Sequence, residues 1–333
     1  MAYTTIDKPT DYFRTKLYTG NGTNDTAITW DETDTNMQPN WLWIKNRDEN
    51  QSHASFDSVR GATLRLNINE AGAEGTENTN LDSFDSNGFT VDNELIVNGS
   101  SDNMVAWGWK AGTSFTNDAS STGIGSIDSS GSVNQDAGFS IVSYTGNSPT
   151  ATTIKHGLNS VPQMIIFKRR VGAGNFTVYH QSLGNTKGMF LTTTAAADTS
   201  AGYFNNTTPT SSVFSVANSG DTNSNGNPTI AYCFAEKQGY SKFGSYTGNN
   251  NDDGAFVYTG FKPAFVMVKI TAGQTDNWIM QDNKINSFNG ASSQRLRPNS
   301  SGAEFSSSNE IDLLSNGFKT HGNDGEINGS GFS

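Results

Sequence analysis

Three lysines close apolar runs in this sequence: Lys45 after NWLWI, Lys168 after QMIIF and Lys269 after AFVMV. Each stands six residues beyond a proline, at Pro39, Pro162 and Pro263. Twelve or thirteen residues further on come Asp57, His180 and Asp282. A lysine facing an aspartate on a neighbouring strand can form an ion pair or, with loss of water, an amide crosslink. His180 breaks that pairing in the middle copy. The plainer reading is a lysine whose stem lies on apolar surface while its ammonium reaches water. Of the four histidines, His53, His156, His180 and His321, only His180 falls on a recurring position. A catalytic base is not exchanged for aspartate within one chain, so His180 reads as a surface polar residue on a strand. No Gly-x-Ser-x-Gly elbow is present. A glycosidase's paired carboxylates leave no sequence signature, but the acids here sit mainly among Ser, Gly and Asn, as turn formers. These residues point to no enzyme.

Two binding chemistries remain. Asp221, Asn223 and Asn225 in DTNSNG follow the first half of a calcium loop, with oxygen ligands at alternate positions and a glycine for the sharp turn. The bidentate acid due at the twelfth position is replaced by Tyr232, so a polar hairpin loop is the preferred reading and Ca2+ a weak one. Trp41 and Trp43 are two apart and share one face of a strand. Exposed, they would stack on sugar rings of a surface glycan; more often such a pair is core.

The elements that carry these residues recur. YTGN occurs at Tyr18–Asn21, Tyr144–Asn147 and Tyr246–Asn249, and each copy precedes one of the Pro-to-Lys runs. Later come FDSNGFT (84–90), a weaker VFSV (213–216) and LLSNGFK (313–319). Two copies end in an aromatic strand, VAWGWKAG (105–112) and IAYCFAEK (230–237). Several anchors at one spacing indicate tandem units of about 100 residues. Short β-branched and aromatic runs, alternation in LRLNI (64–68) and repeated Asn-Gly turns make each unit all-β. The expected fold is three tandem jelly-roll-like β-sandwiches. The first spans 1–110, the second 138–237 and the third 238–333, each burying its own core. Residues 111–137, rich in Ser and Gly, read as a linker, with Ile124, Ile127 and Val133 as material for a short hairpin. The closing strand of the third unit falls due where the chain stops, so this unit is expected to be incomplete, through truncation or because another chain supplies the strand.

Composition narrows the function. Only 33% of residues are apolar, which suits thin sheet cores, and a net charge of −11 repels phosphate, so nucleic acid is not a partner. Cys233 is the sole cysteine, which excludes an intrachain disulfide and a thiolate zinc site. MAYTTIDKPT has no apolar signal core, and no apolar run is long enough to span a bilayer.

DYFRTKLYTGNG (11–22), WLWIKNRD (41–48), FDSVRGAT (56–63), SFDSNGFTV (83–91) and AYCFAEKQGYSKFGSYTGN (231–249) together resemble a tandem-repeat family of marine bacteriophages, cyanophages among them. The resemblance covers the chain from about Tyr3 onward. It implies a virion structural protein, in a tail fibre, an appendage or a capsid-surface decoration. It also implies partners among other virion proteins, self-association with a trimer favoured, and attachment to a host surface, and it supplies no catalytic residues. The alternatives are a lectin-like glycan-binding module and, more distantly, a filament or adhesin subunit.

Overall fold

The computed structural model describes residues 4–290, 292–308 and 311–330. The chain is almost entirely β, in several sheets, as the sequence leads one to expect. In the first segment the opening strand Phe13–Thr19 pairs with the closing strand Asn103–Trp109, which pairs on its other side with the inner strand Trp41–Asn46. The return strand Ala54–Asp57 and then Gly61–Asn67 extend the sheet. A smaller sheet, Thr26–Thr29, Gly88–Val91 and Leu81–Asp85, covers one face. The second segment repeats the order with opening strand Phe139–Thr145, closing strand Pro228–Phe234, inner strand Met164–Arg169 and return strand Thr177–His180. The third has an inner strand, Phe265–Lys269, and a return strand, Trp278–Asp282.

Residues 111–137 are not a linker. Thr113–Asn117 and Ser129–Asn134 form a hairpin that lengthens the second sheet beyond Phe139–Thr145, burying Val133. Its Ser and Gly content misled because the small side chains are needed here: a Cβ on Gly131 would lie 1.9 Å from the Ile141 carbonyl oxygen.

Each segment has a local core, such as Leu42, Ile44, Phe56 and Phe89 between the two sheets of the first. The opposite faces meet one another instead of water. Trp41, Trp43 and Trp107, Phe139, Ile166 and Tyr232, and Trp278 and Met280 form one shared core drawn from all three segments. Each segment thus buries a core of its own, as the sequence suggested, and a further core joins the three. With both faces buried, the inner strands of the first two segments need not alternate, which explains why WLWI and MIIF are apolar throughout.

The YTGN copies are clasps. The hydroxyls of Tyr18, Tyr144 and Tyr246 donate to the carbonyls of Val97, Thr222 and Ile327, each at 2.5 Å. The backbone N–H groups of Asn21, Asn147 and Asn249 donate to the side-chain oxygens of buried Asn98, Asn223 and Asn328 at 2.9, 2.9 and 3.1 Å. The intervening glycine has no substitute, since a Cβ on Gly20 would come within 2.1 Å of the Gly99 carbonyl oxygen.

An open strand position at a three-way junction

Each segment touches the other two through equivalent bonds. Glu304 N–H donates to the Arg47 carbonyl (2.7 Å), Glu74 N–H to that of Arg170 (2.9 Å) and Ala197 N–H to that of Thr271 (3.0 Å). Arg47, Arg170 and Thr271 all stand two residues beyond the recurring lysines, so the three junctions close a ring. Two of them add bidentate ion pairs, Arg47 to Glu304 (2.6 and 2.9 Å) and Arg170 to Glu74 (2.9 and 2.7 Å). Sequence reading missed these four residues; the signal was the shared Lys-x-Arg spacing in the first two copies.

The lysines lie at these junctions. Lys45 and Lys168 are wholly buried and do not snorkel to water. Their ammonium groups donate to backbone carbonyls, Lys45 to Asn46 and Glu49, and Lys168 to Ala71 (3.1 Å) of the first segment and Gly174 (2.5 Å). Lys269 donates to Thr194 (3.2 Å) of the second segment and Ile270 (2.8 Å). Burial pulls all three down to about 8. Among the described residues no ion pair joins these lysines to Asp57 or Asp282, whose carboxylates are engaged elsewhere. Asp57 instead pairs with buried Arg60 and accepts from the Tyr232 hydroxyl at 2.7 Å.

That last bond belongs to a second cyclic series. The closing strands of the first two segments each present their middle aromatic to the recurring acid of the segment before them in the ring. Tyr232 donates to Asp57, and Trp107 Nε1 donates to Asp282 Oδ2 at 2.9 Å. The third member would point from the third segment to His180, and among the described residues no strand provides it. Phe265–Lys269 pairs only with its return strand, and Phe243–Gly248, where an opening strand would run, joins no ladder. Between them lies a groove of ≈ 550 Å³ lined by Trp41, Met164, His180, Phe234, Phe265 and Met267 among others.

Trp41 and Trp43 are 2% and 1% exposed, and Trp41 stacks on Trp109 and Tyr232 with ring centroids 4.5 and 4.4 Å away. They form the wall between segments, so a sugar platform on these rings is ruled out by burial. The DTNSNG residues do not converge. Asp221 caps Asn175 (3.0 Å), Asn223 is buried and holds Asn147, Thr150 and Ala217, and Asn225 is exposed. The motif matched because turns and calcium loops share Asp, Asn and Gly; here Asn223 serves the clasp. Among the described residues no cluster of three His, Cys, Asp or Glu is placed to hold a metal.

An all-β chain whose sandwich-type sheets close around one aromatic core, with one strand position open beside it, is the class these features define. The chain belongs to the family described as "Domain of unknown function (DUF7483)", whose model matches residues 8–333. No curated protein and no solved structure matches it.

Proposed function

We propose that the chain is a non-enzymatic structural protein of a phage virion, a building block of a tail fibre, an appendage or a capsid-surface decoration. The observation that carries this reading is the closed three-way junction. The side chains best suited to chemistry are spent on it or on local turns. His53 bridges Trp43 Nε1 (2.8 Å) and the Arg297 carbonyl (3.1 Å) across two segments, and Asp57, Asp282 and the lysines hold backbone or aromatic partners. A part of this kind works through shape and repeated contacts with itself and with other virion proteins. The phage-family resemblance of the YTGN and Pro-to-Lys segments points the same way. Immunogold labelling or cryo-EM of particles from the native source is the test. Density or label on tail, fibre or capsid surface is expected; its absence from every particle would overturn the proposal.

A further inference from the structure

The small sheets of the three segments share a register but not an outer face. In the third segment this sheet is Phe256–Tyr258, Gly317–Thr320 and Ile311–Leu314. Ile28 lies opposite Phe89, Ile154 opposite Phe214 and Val257 opposite Phe318, each pair on its local core. The residues on either side of the aliphatic one therefore turn outward. They are Ala27 and Thr29 in the first segment, Thr153 and Lys155 in the second, and Phe256 and Tyr258 in the third. Phe256 and Tyr258 are 47% and 63% exposed. Ala27 and Thr29 are exposed as well, in a segment whose closing strand is in place, so this face is outward whatever fills the strand position beside Phe265–Lys269.

Two rows cross the face. Phe256 lies opposite Lys319, which lies opposite Asp312; Tyr258 lies opposite Gly317, which lies opposite Leu314. The same rows in the first segment read Ala27, Thr90, Ser83 and Thr29, Gly88, Asp85. The third copy thus carries two rings, a cation and an acid where the first has small side chains. The glycine is kept, since a Cβ on Gly317 would lie 2.1 Å from the Val257 carbonyl oxygen, and it leaves a shallow seat beside the Phe256 ring. Asp253 pairs with Lys319, and His321 Nε2 bonds Asp312 at 3.0 Å. At the far edge Asn289 holds the Leu313 backbone, which brings Phe288, 79% exposed, close by. Among the described residues no other phenylalanine, tyrosine or tryptophan is exposed.

Exposed rings gathered on one face mark a binding surface. The charges among them say for what. The core of a protein–protein interface is depleted in Lys and Asp, yet Lys319 and Asp312 stand in the row with Phe256. A sugar calls for this mixture. The apolar face of a pyranose presents C–H groups to the electron-rich face of an aromatic ring. Its hydroxyls take charge-assisted bonds from ammonium donors and to carboxylate acceptors. Phe256 and Tyr258, two apart on a strand, are about 7 Å apart along it, within reach of one hexose. Lys319 is already paired with Asp253, so it offers donors without a bare charge for an anionic sugar.

We infer that the outer face of the third segment's small sheet binds a neutral carbohydrate, with Phe256 and Tyr258 stacking on the sugar and Lys319 and Asp312 holding its hydroxyls. The face points away from the local core, whose residues on this sheet are Ile311, Leu313 and Phe318. It therefore stays open when the segments close on one another. The inference holds wherever the chain works, and its test needs only the purified chain.

The full chain, dye-labelled, is screened on an array of neutral and acidic oligosaccharides that includes cello-, malto- and chito-oligomers and bacterial surface glycans. The best neutral ligand is then titrated by calorimetry. Saturable binding of a neutral sugar, one site per chain, is expected. Phe256→Ala combined with Tyr258→Thr writes in the residues that the first segment carries at these positions, so the sheet is kept; it should weaken binding more than tenfold. Lys319→Met keeps the stem and removes the donors, and should weaken binding about tenfold, the worth of one hydrogen bond. No neutral ligand on the array, or undiminished binding by the double variant, overturns the site. Unchanged or tighter binding by Lys319→Met overturns the polar half of it. Self-association in sedimentation that the double variant abolishes, without sugar binding, gives the face to a second copy and overturns the carbohydrate.

Discussion

The inner strands Trp41–Asn46 and Phe265–Lys269 follow the same proline spacing and end near the same lysine, yet they live in different surroundings. All six residues of the first are buried, but only two of the five in the other. Both have a return strand on one side. Only the first has a closing strand on the other, and the residues that lose cover in the third segment, Phe265, Met267 and Lys269, are those on the shared-core face. Val266 and Val268, facing the local sheet, stay buried. The local core of the third segment is thus complete, while its shared-core face is less covered where no closing strand lies among the described residues. The comparison teaches that burial of a strand is a property of its neighbours as much as of its own side chains.

The largest test of this contrast replaces equivalent residues. Ile166→Ala, in a closed sheet, is expected to cost about 2–5 kcal/mol in urea unfolding, the range for truncating a buried aliphatic side chain. Met267→Ala, at the open edge, should cost about 1 kcal/mol, because its side chain is only partly removed from water. Equal costs would mean that the groove is filled in solution.

Acid should next attack the buried histidines. Burial depresses His53 to about 3 and His156 to about 4, against 6.5 in the unfolded chain. Their contribution is complete above pH 6.5 and is lost as pH falls, because the unfolded state takes up protons that the folded state refuses. At pH 5 the loss is about 2 kcal/mol for each, since one pH unit corresponds to about 1.4 kcal/mol. Protonating His53 Nδ1 also breaks its bond from Trp43, at the junction of the first and third segments. His53→Gln should flatten the fall in urea midpoint between pH 6.5 and 5, whereas an unchanged slope would remove His53 from the account.

Smaller effects are expected at the ion pairs. Arg47→Ala and Arg170→Ala should each cost about 1–2 kcal/mol, as charge-assisted bonds that water partly reaches. They lie at different junctions, so a double substitution should be additive. Strong coupling between them would show instead that the ring opens as one unit.

Much of the fold was legible because strand chemistry is local. Asn-Gly turns, β-branched runs and the repeated YTGN and Pro-to-Lys anchors announce all-β sheets in the order found. What was not legible is how segments meet. Trp41 and Trp43 read equally as core or as a sugar platform, because an aromatic face looks the same whether a neighbouring segment or a ligand covers it. Asp57 was matched to Lys45 by sequence distance, but its partners are Arg60, three residues away, and Tyr232, 175 residues away. Ser and Gly in 111–137 suggested a linker because small residues serve loops and crowded sheets alike, as at Gly131.

Amide hydrogen exchange, resolved by NMR, tests the open strand position most directly. The N–H groups of Ile166 and Lys168 face a paired closing strand, while those of Met267 and Lys269, at equivalent positions, face the groove. Exchange at Met267 and Lys269 is expected to be orders of magnitude faster than at Ile166 and Lys168. Protection of Met267 and Lys269 equal to that of Ile166 and Lys168 would contradict the account.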